Sequence, residues 1–287
     1  MTALAERETA RHPWDDAAAG WNDHTLIIRE WLLGATQMML DAAHVTTGAR
    51  VLDIAAGSGD QTLDIARRVG ETGYVLATDI SARILELAQR NAHAEGFSQV
   101  ETRLADAQSL GLDGAKFDAA VCRLGLMFCE EPLAALKGAR AALKAAGRFS
   151  ALVFSGPQNN PCLTIMMRTA IKHAGLTPEP SSPFAPGTLM SLGKSGLLQE
   201  FMDDAGFIGI NVQAVEAPFR LPTSQHYIDF VRSAGSPIMQ MLAPLSDAAK
   251  RDAWHDMETQ LNAFTTNDGW VGPHELLLCA ATAPHTV

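Results

Sequence analysis

A turn of small residues between two carboxylates is the part of the sequence best suited to bind a ligand. The apolar run 50–54 contains Asp53 and leads through the small residues 55–59 into an amphipathic helical pattern. Small residues between a strand and a helix let backbone N–H groups approach a ligand at the helix N-terminus. Asp79 closes the next apolar run, slightly beyond the spacing of about 20 residues at which an acid binds ribose hydroxyls. The pattern therefore predicts a nucleotide-type ligand.

Two classes of nucleotide-binding fold share this layout, and the turn separates them. The dinucleotide fingerprint Gly-x-Gly-x-x-Gly needs a third glycine where this chain has Thr62. The alternative is an acid two residues before a small-x-Gly-x-Gly turn, which fits Asp53, Ala55, Gly57 and Gly59. This turn resembles motif I of the class I S-adenosylmethionine-dependent methyltransferases. Ala55 stands where that family usually has its first glycine, which the turn tolerates if φ stays negative there. NAD is the competing ligand, and a turn without a ligand is the structural alternative.

Further motifs follow in the order of that family. Residues 100–107 resemble its third strand and the acid after it, so the resemblance implies that Asp106 and the backbone of Ala107 bind adenine. Residues 117–128 resemble the family's fourth strand and the loop after it, and residues 133–143 have the spacing of the helix that follows. Residues 144–148 stand where the family has its turn, and residues 149–154 are then the fifth strand. The resemblance extends from about Trp14 to Thr282. It is closest to the small-molecule methyltransferases of the ubiquinone/menaquinone-biosynthesis type.

The resemblance implies a fold, a cofactor and a reaction. The expected fold is α/β, a Rossmann-like seven-stranded, mostly parallel sheet with helices on both faces and a helical cap inserted around the sixth strand. The expected cofactor is S-adenosylmethionine, and the expected reaction is methyl transfer to a small aromatic or apolar acceptor, with O-, N- and C-methylation all open. The alternative is a protein of the same fold that binds S-adenosylmethionine or S-adenosylhomocysteine without methylating. A macromolecular acceptor is third.

The candidate site residues cluster at the carboxyl ends of the predicted strands. For the cofactor we expect Trp21, Asp53, Ala55, Gly57, Gly59, Asp79, Ile80, Asp106, Ala107, Arg123 and Leu124. Met127 and Phe128 are expected on the acceptor side. His24 is the first candidate for a general base and His226 the second. Asp53 either orders the turn or contacts the methionine ammonium, and Arg123 either meets an acceptor carboxylate or pairs with an acid.

Composition narrows the partners of the chain. Its 287 residues carry a formal net charge of −10 without a basic run, which disfavours nucleic acid and anionic membranes. No signal-type or membrane-spanning segment is predicted, so a cytoplasmic location is expected. The four cysteines are scattered and expected to be reduced; a metal- or arsenic-thiolate role for Cys122, Cys129 and Cys162 is the less favoured alternative. No metal site is predicted, and the oligomeric state is open, with a homodimer as one option.

The alternation of strands and helices predicts the layout that must position these residues. Strands are predicted at 50–55, 74–79, 100–105, 117–122, 148–154, 209–217 and 276–282, and core helices at 60–69, 81–95, 131–143 and 194–205. Strands interleaved with helices imply a parallel sheet whose carboxyl edge holds the ligand. We expect residues 1–46 to form a helical segment over the cofactor. The core then comprises 47–155, 193–221 and 274–287, and the acceptor-side cap comprises 156–192 and 222–273.

Overall fold

The computed structural model describes residues 13–114, 116–177, 183–234 and 236–285. The described part of the chain begins with two helices, α1 (Pro13–Asp23) and α2 (Thr25–Ala42), where the sequence predicts one helical stretch. Helix α2 has apolar residues three and four positions apart, and this face, with Leu32 and Met39, is fully buried. It packs against the middle of the main sheet.

The main sheet has seven strands in the order β3-β2-β1-β4-β5-β10-β6. Its strands are β1 (Arg50–Ile54), β2 (Tyr74–Asp79), β3 (Val100–Leu104), β4 (Phe117–Arg123), β5 (Leu143–Phe154), β6 (Ile208–Glu216) and β10 (Glu275–Thr282). Strands β1 to β5 are parallel, and β10 runs antiparallel to both β5 and β6. The central strands are near-continuous apolar runs because the sheet is covered on both sides. The predicted fold class is confirmed.

Four helices connect these strands: α3 (Asp60–Val69), α4 (Ala82–Ala94), α5 (Pro132–Ala142) and α7 (Leu197–Asp204). Helix α2 contacts α3, and α3 contacts α4, which gives one helical layer. Helix α5 packs against α7, which gives a second layer. Ser81 fixes the start of α4, because its hydroxyl accepts a hydrogen bond from Ile84 N at 3.2 Å. Each crossover carries the chain back to the amino edge of the sheet, so the parallel strands β1, β2 and β4 all end at the same carboxyl edge, beside small residues or carboxylates.

The remaining elements lie above that edge. They are the helices α6 (Pro161–His173), α8 (Ser224–Ala234), α9 (Ser236–Leu242) and α10 (Asp247–Leu261). A small antiparallel sheet joins them, with β7 (Phe219–Leu221), β8 (Thr265–Thr266) and β9 (Gly269–Gly272) in the order β7-β9-β8. The sequence pattern, which predicts only helices over 224–264 and no strand at 269–272, misses this sheet because strands of two to four residues show no periodicity.

Helix α1 packs against both core and cap. It contacts α4 of the core and α8 and α9 of the cap. The approach to α8 is close at Gly20, where an added Cβ would lie 2.0 Å from the carbonyl oxygen of Ser233. Any side chain at residue 20 would therefore push the two helices apart. None of the helices that the structure describes combines the length and apolar character needed to cross a bilayer.

Candidate active site

A cavity of about 290 Å³ lies at the carboxyl edge of the parallel strands. Residues 55–58 after β1, 79–80 after β2, 105–108 after β3 and 123–125 after β4 line it. Trp14 and Trp21 of α1 close it from above. The structure thus brings together most of the predicted cofactor set: Trp21, Ala55, Gly57, Asp79, Ile80, Asp106, Ala107, Arg123 and Leu124. Asp53 and Gly59 are not among the residues that line this cavity.

Asp53 lies beneath the turn, fully buried. Its carboxylate accepts hydrogen bonds from Gln61 Nε2 and from Thr62 Oγ1, both at 2.6 Å. These bonds tie the strand end to the first turn of α3. Removal from water raises the pKa of Asp53 to about 6, although both hydrogen bonds oppose the rise. Of the two expectations for this residue, the geometry matches the ordering of the turn.

Ala55 adopts a left-handed backbone conformation, with φ +55°. The condition of a negative φ at this residue is therefore not met, and the turn keeps the conformation that a glycine would adopt there. A non-glycine residue in this region carries a strain of about 1–2 kcal/mol. The methyl group fits because residue 125 is glycine: a Cβ on Gly125 would lie 2.3 Å from Ala55 Cβ.

Asp79 clamps the other side of the turn. Its Oδ2 accepts a hydrogen bond from Gly57 N, and its Oδ1 accepts one from Ser81 N, both at 3.0 Å. Both carboxylate oxygens of Asp79 therefore hold backbone N–H groups, one in the turn and one after β2. The side chain is largely buried but lines the cavity. The turn and the ribose-type acid are thus one hydrogen-bonded unit.

Asp106 lies at the far end of the cavity, after β3. Its carboxylate accepts from Gln108 N at 2.9 Å and from Gln108 Nε2 at 3.2 Å. Gln108 Oε1 in turn accepts from Glu131 N at 2.7 Å. Gln108 also lines the cavity, and sequence reasoning missed it because a polar residue in a short loop carries no pattern of its own.

Arg123 and Asp60 form a buried ion pair at the cavity wall, with Nη2 2.7 Å from Oδ2. Arg123 Nη1 also donates to Thr36 Oγ1 at 2.8 Å, so of the two alternatives for Arg123 the structure shows the pairing with an acid. The second oxygen of Asp60, Oδ1, is buried without a hydrogen-bond partner. Sequence reasoning missed Asp60, although its position directly after Gly59, at the start of a helix, was a usable signal.

A second cavity of about 80 Å³ adjoins the first. Its wall is apolar and aromatic, with Met127, Phe128, Leu163, Phe219 and Phe230 among the lining residues. Four residues line both cavities: Trp14, Trp21, Leu124 and Phe128. The rings of Trp14 and Phe128 form a T-shaped pair, with centroids 4.9 Å apart. The predicted acceptor-side residues Met127 and Phe128 therefore both face this smaller cavity.

The two candidate bases lie elsewhere. His24 Nδ1 is 2.9 Å from Gly20 O and 3.2 Å from Ser233 Oγ, so this ring joins α1 to α8. His226 Nδ1 is 2.8 Å from Thr223 Oγ1 at the exposed start of α8. Neither residue lines either of these two cavities. The smaller cavity is instead lined by a histidine that the sequence did not single out, His274, which is hydrogen-bonded to Tyr227.

The cysteines are buried free thiols. Burial raises the pKa of Cys129 and of Cys162 to about 12 and that of Cys122 still further, so none of them is a ready thiolate ligand. Within residues 13–114, 116–177, 183–234 and 236–285, no three His, Cys, Asp or Glu side chains are grouped to hold a metal ion.

Solved structures share this architecture at low sequence identity. A phosphoethanolamine N-methyltransferase of Haemonchus contortus in complex with S-adenosyl-L-methionine superposes with a TM-score of 0.56 at 17% identity, over 92% of this chain and 57% of that one. The [4+2]-cyclase SpnF superposes with a TM-score of 0.56, also at 17% identity, over 95% of this chain and 97% of that one. Likeness at this identity shows the common fold.

Sequence relatives are more specific. The ubiquinone/menaquinone biosynthesis C-methyltransferase UbiE of Teredinibacter turnerae is 37% identical over 122 residues, which are 42% of this chain and 49% of the relative. The chain thus spans about half the length of the curated relatives it matches. The family model described as the ubiE/COQ5 methyltransferase family matches residues 29–172, half of the 287 residues. The chain therefore belongs to the ubiE/COQ5 methyltransferase family, as the sequence motifs predict.

Proposed function

We propose that the protein transfers a methyl group from S-adenosylmethionine to a small apolar or aromatic acceptor. The observation that carries the proposal is the pair of adjoining cavities, one acidic at the carboxyl edge of the sheet and one apolar beneath the cap. The first suits a cationic nucleotide-like donor and the second an uncharged acceptor. The name of the Teredinibacter turnerae relative, a C-methyltransferase, supports the same reaction class.

The charges at the larger cavity favour this donor over a dinucleotide. The charged residues described in its lining are Asp60, Asp79, Asp106 and Glu130 against the single cation Arg123. S-adenosylmethionine carries a sulfonium, an ammonium and a carboxylate and is therefore a net cation. NAD carries two phosphate charges, which four carboxylates would repel. The wall thus complements the sulfonium donor.

Two buried polar atoms without partners fit the methionine end of that donor. Among the described residues, Trp21 Nε1 and Asp60 Oδ1 are such atoms, and both residues line the larger cavity. An unpaired buried donor or acceptor is costly unless a ligand satisfies it. Asp60 Oδ1 would accept from the ammonium, and Trp21 Nε1 would donate to the carboxylate. Asp79 would hold the ribose hydroxyls, and Asp106 with Ala107 would hold the adenine.

The protein's part in the reaction is then binding and alignment. The sulfonium supplies an already activated methyl group. The residues that line both cavities, Trp14, Trp21, Leu124 and Phe128, lie where donor and acceptor would meet, and their apolar surfaces would exclude water. The acceptor would bind against Met127 and the aromatic wall of the smaller cavity.

The second candidate is a protein that binds the donor without transferring its methyl group. The SpnF structure, which shares the fold, is named a [4+2]-cyclase, so this architecture also serves other chemistry. Calorimetric titration with S-adenosylmethionine, S-adenosylhomocysteine and NAD tests the donor site. Incubation of methyl-labelled donor with a cell extract, followed by mass spectrometry, tests transfer. Donor binding without any labelled product would favour the second candidate, and preferential binding of NAD would overturn both.

The remaining assignments follow from this function. We propose that the described residues of segment 1–46 cover the donor, that those of 47–155, 193–221 and 274–287 form the core, and that those of 156–192 and 222–273 form the cap over the acceptor. Residues 1–12, 115, 178–182, 235 and 286–287 of these ranges lie outside the described residues. The net charge of −10 favours a small acceptor over nucleic acid. The four reduced, buried thiols are consistent with a cytoplasmic location.

A further inference from the structure

We propose that Tyr227 and His274 make the smaller cavity selective for acceptors that carry a hydrogen-bond donor, an O–H or N–H group on an otherwise apolar ring. This inference rests on the proposed function only in taking the smaller cavity as the acceptor site. Tyr227 comes from α8 of the cap, and His274 directly precedes β10 of the core. Both residues line the cavity, and their side chains are hydrogen-bonded to each other.

The hydrogen-bond partners fix which atom of the pair carries each proton. His274 Nδ1 is 3.1 Å from Gly272 O, and a carbonyl oxygen can only accept, so Nδ1 carries the ring hydrogen. In the neutral ring Nε2 is then an acceptor. Tyr227 Oη lies 3.1 Å from that Nε2 and donates its single hydrogen to it. His274 therefore holds the tyrosine hydroxyl in one orientation.

This orientation decides what Tyr227 can offer a ligand. A phenol oxygen has one hydrogen and two lone pairs, and the hydrogen is already committed to His274. Only lone pairs remain for the cavity, and lone pairs accept. A ligand hydroxyl or N–H can donate to Tyr227 Oη, whereas a carbonyl or ether oxygen finds no donor there.

Burial keeps both groups neutral. Tyr227 and His274 are 1% and 4% exposed. Burial lowers the pKa of His274 to about 4 and raises that of Tyr227 well above its ordinary value, helped by the nearby thiol of Cys162 on α6. Glu275, the residue after His274, is also titratable, and its carboxylate accepts from Asn159 Nδ2 at 2.5 Å. The donor and acceptor roles are thus constant across neutral pH.

The aromatic wall of the cavity makes Tyr227 Oη important as a hydrogen-bond acceptor. Trp31 stacks on Phe219 with centroids 4.5 Å apart, and its Nε1 donates a hydrogen bond to Ala217 O at 2.7 Å. Tyr227 itself stacks on Trp270 at 5.0 Å. A ligand hydroxyl held among these rings without a partner would be destabilised, because buried donors need acceptors. Tyr227 Oη supplies that acceptor, and His274 is the positioning residue behind it.

A purely structural role for the pair predicts a different outcome, and three small aromatic probes separate the two. Phenol, toluene and anisole differ only in carrying a hydroxyl, a methyl and a methyl ether. Their dissociation constants are measured by ligand-observed NMR titration with S-adenosylhomocysteine present. In Tyr227→Phe the preference for phenol over toluene should fall about tenfold, the loss of one hydrogen bond. Tyr74→Phe removes the chain's other tyrosine hydroxyl, which contacts Glu101 outside both cavities, and should leave the preference unchanged.

His274→Leu tests the orientation itself. Without Nε2 the tyrosine hydroxyl can turn and donate into the cavity, so anisole should gain several-fold relative to toluene. Thermal melting with and without S-adenosylhomocysteine verifies that each variant folds. An unchanged phenol preference in Tyr227→Phe, an unchanged anisole affinity in a folded His274→Leu, or no binding of phenol by the wild type would each overturn the inference. Failure of the donor to bind while the phenol preference persists would overturn the proposed function instead.

Discussion

Ala55 and Gly125 occupy one space: a Cβ on Gly125 would lie 2.3 Å from the Cβ of Ala55. Ala55 stands in the turn after β1, and Gly125 follows β4, the neighbouring strand. The left-handed alanine is therefore accommodated by a glycine about 70 residues away in the chain. The two positions form a complementary pair in which one methyl group is allowed.

We predict that Gly125→Ala destabilises the protein by about 1–3 kcal/mol through overpacking. Ala55→Gly should be nearly neutral, because relief of about 1 kcal/mol of backbone strain is offset by a more flexible unfolded chain. The double variant should recover most of the loss. A double-mutant cycle by chemical denaturation measures this coupling. Additive effects would show that the two methyl groups do not compete.

Asp60→Asn should weaken binding of S-adenosylmethionine about tenfold or more, because a charge-assisted bond to the ammonium is lost. The substitution keeps an oxygen for Arg123, so part of that contact persists. Asp113→Asn, an exposed carboxylate outside both cavities, is the matched control. Calorimetric titration checks the prediction, and equal affinity in the two variants would remove Asp60 from the donor site.

Asp79→Ala should lower donor affinity by about 1.5–3 kcal/mol through loss of the contacts to ribose hydroxyls. The variant also frees Gly57 N, so its stability is expected to fall as well. Titration with adenosine separates the two effects, since the nucleoside keeps the ribose but lacks the methionine end. An unchanged affinity for both ligands would reject the assignment.

Stability should depend on pH through Asp53. Its pKa is raised from the ordinary 3.8 to about 6, so between these values the native state binds more protons than the unfolded chain. The free energy of unfolding then falls as pH rises through that window, by about 3 kcal/mol. The lowered pKa of His274 acts in the opposite sense, since stability is lost as pH falls from its ordinary 6.5 through about 4. The contribution of Asp53 must therefore be measured by comparing the wild type with a variant that lacks this carboxyl group.

Denaturation of wild type and Asp53→Asn between pH 4 and pH 7 isolates the carboxyl contribution, because the amide does not titrate and His274 is common to both. The wild type should lose stability relative to the variant as the pH rises. A constant difference between the two proteins would mean that the pKa of Asp53 is not raised on folding.

The cap and the N-terminal segment should close when ligands bind. Hydrogen exchange of residues 14–30 and 156–190 should slow with donor and acceptor present, while 50–55 and 117–122 barely change. The basis is that Trp14 and Trp21 line both cavities, so ligands must pass α1 or the cap to enter. High protection of these segments in the free protein would indicate a preformed pocket.

The core could be predicted from the sequence because its signals are local. The strands β1, β2 and β4 begin at the predicted residues and end within one residue of them, and the small-residue turn lies at the predicted edge. Periodicity and turn chemistry act over a few residues and are visible in the chain.

The misses share a different cause. The conformation of Ala55 depends on Gly125, and the Tyr227–His274 bond joins residues 47 positions apart. The sequence offered His24 as a base because it follows Trp21, but the structure turns that ring towards Ser233. Partners distant in the chain are set by tertiary packing, which no local pattern records.

The small sheet and the pair β6–β10 together form one bent ribbon of antiparallel strands, and the cap is inserted in this ribbon. Strands β6 and β7 run antiparallel to β10 and β9, and the two pairs are joined at the bend, where Ala217 N donates to His274 O at 2.8 Å. The helices α8 to α10 occupy the loop of this ribbon, and its stem is anchored in the core. Eight of the seventeen residues that line the smaller cavity thus come from one contiguous segment, 219–274. Evolution or an engineer can exchange it for another without moving a strand of the donor site.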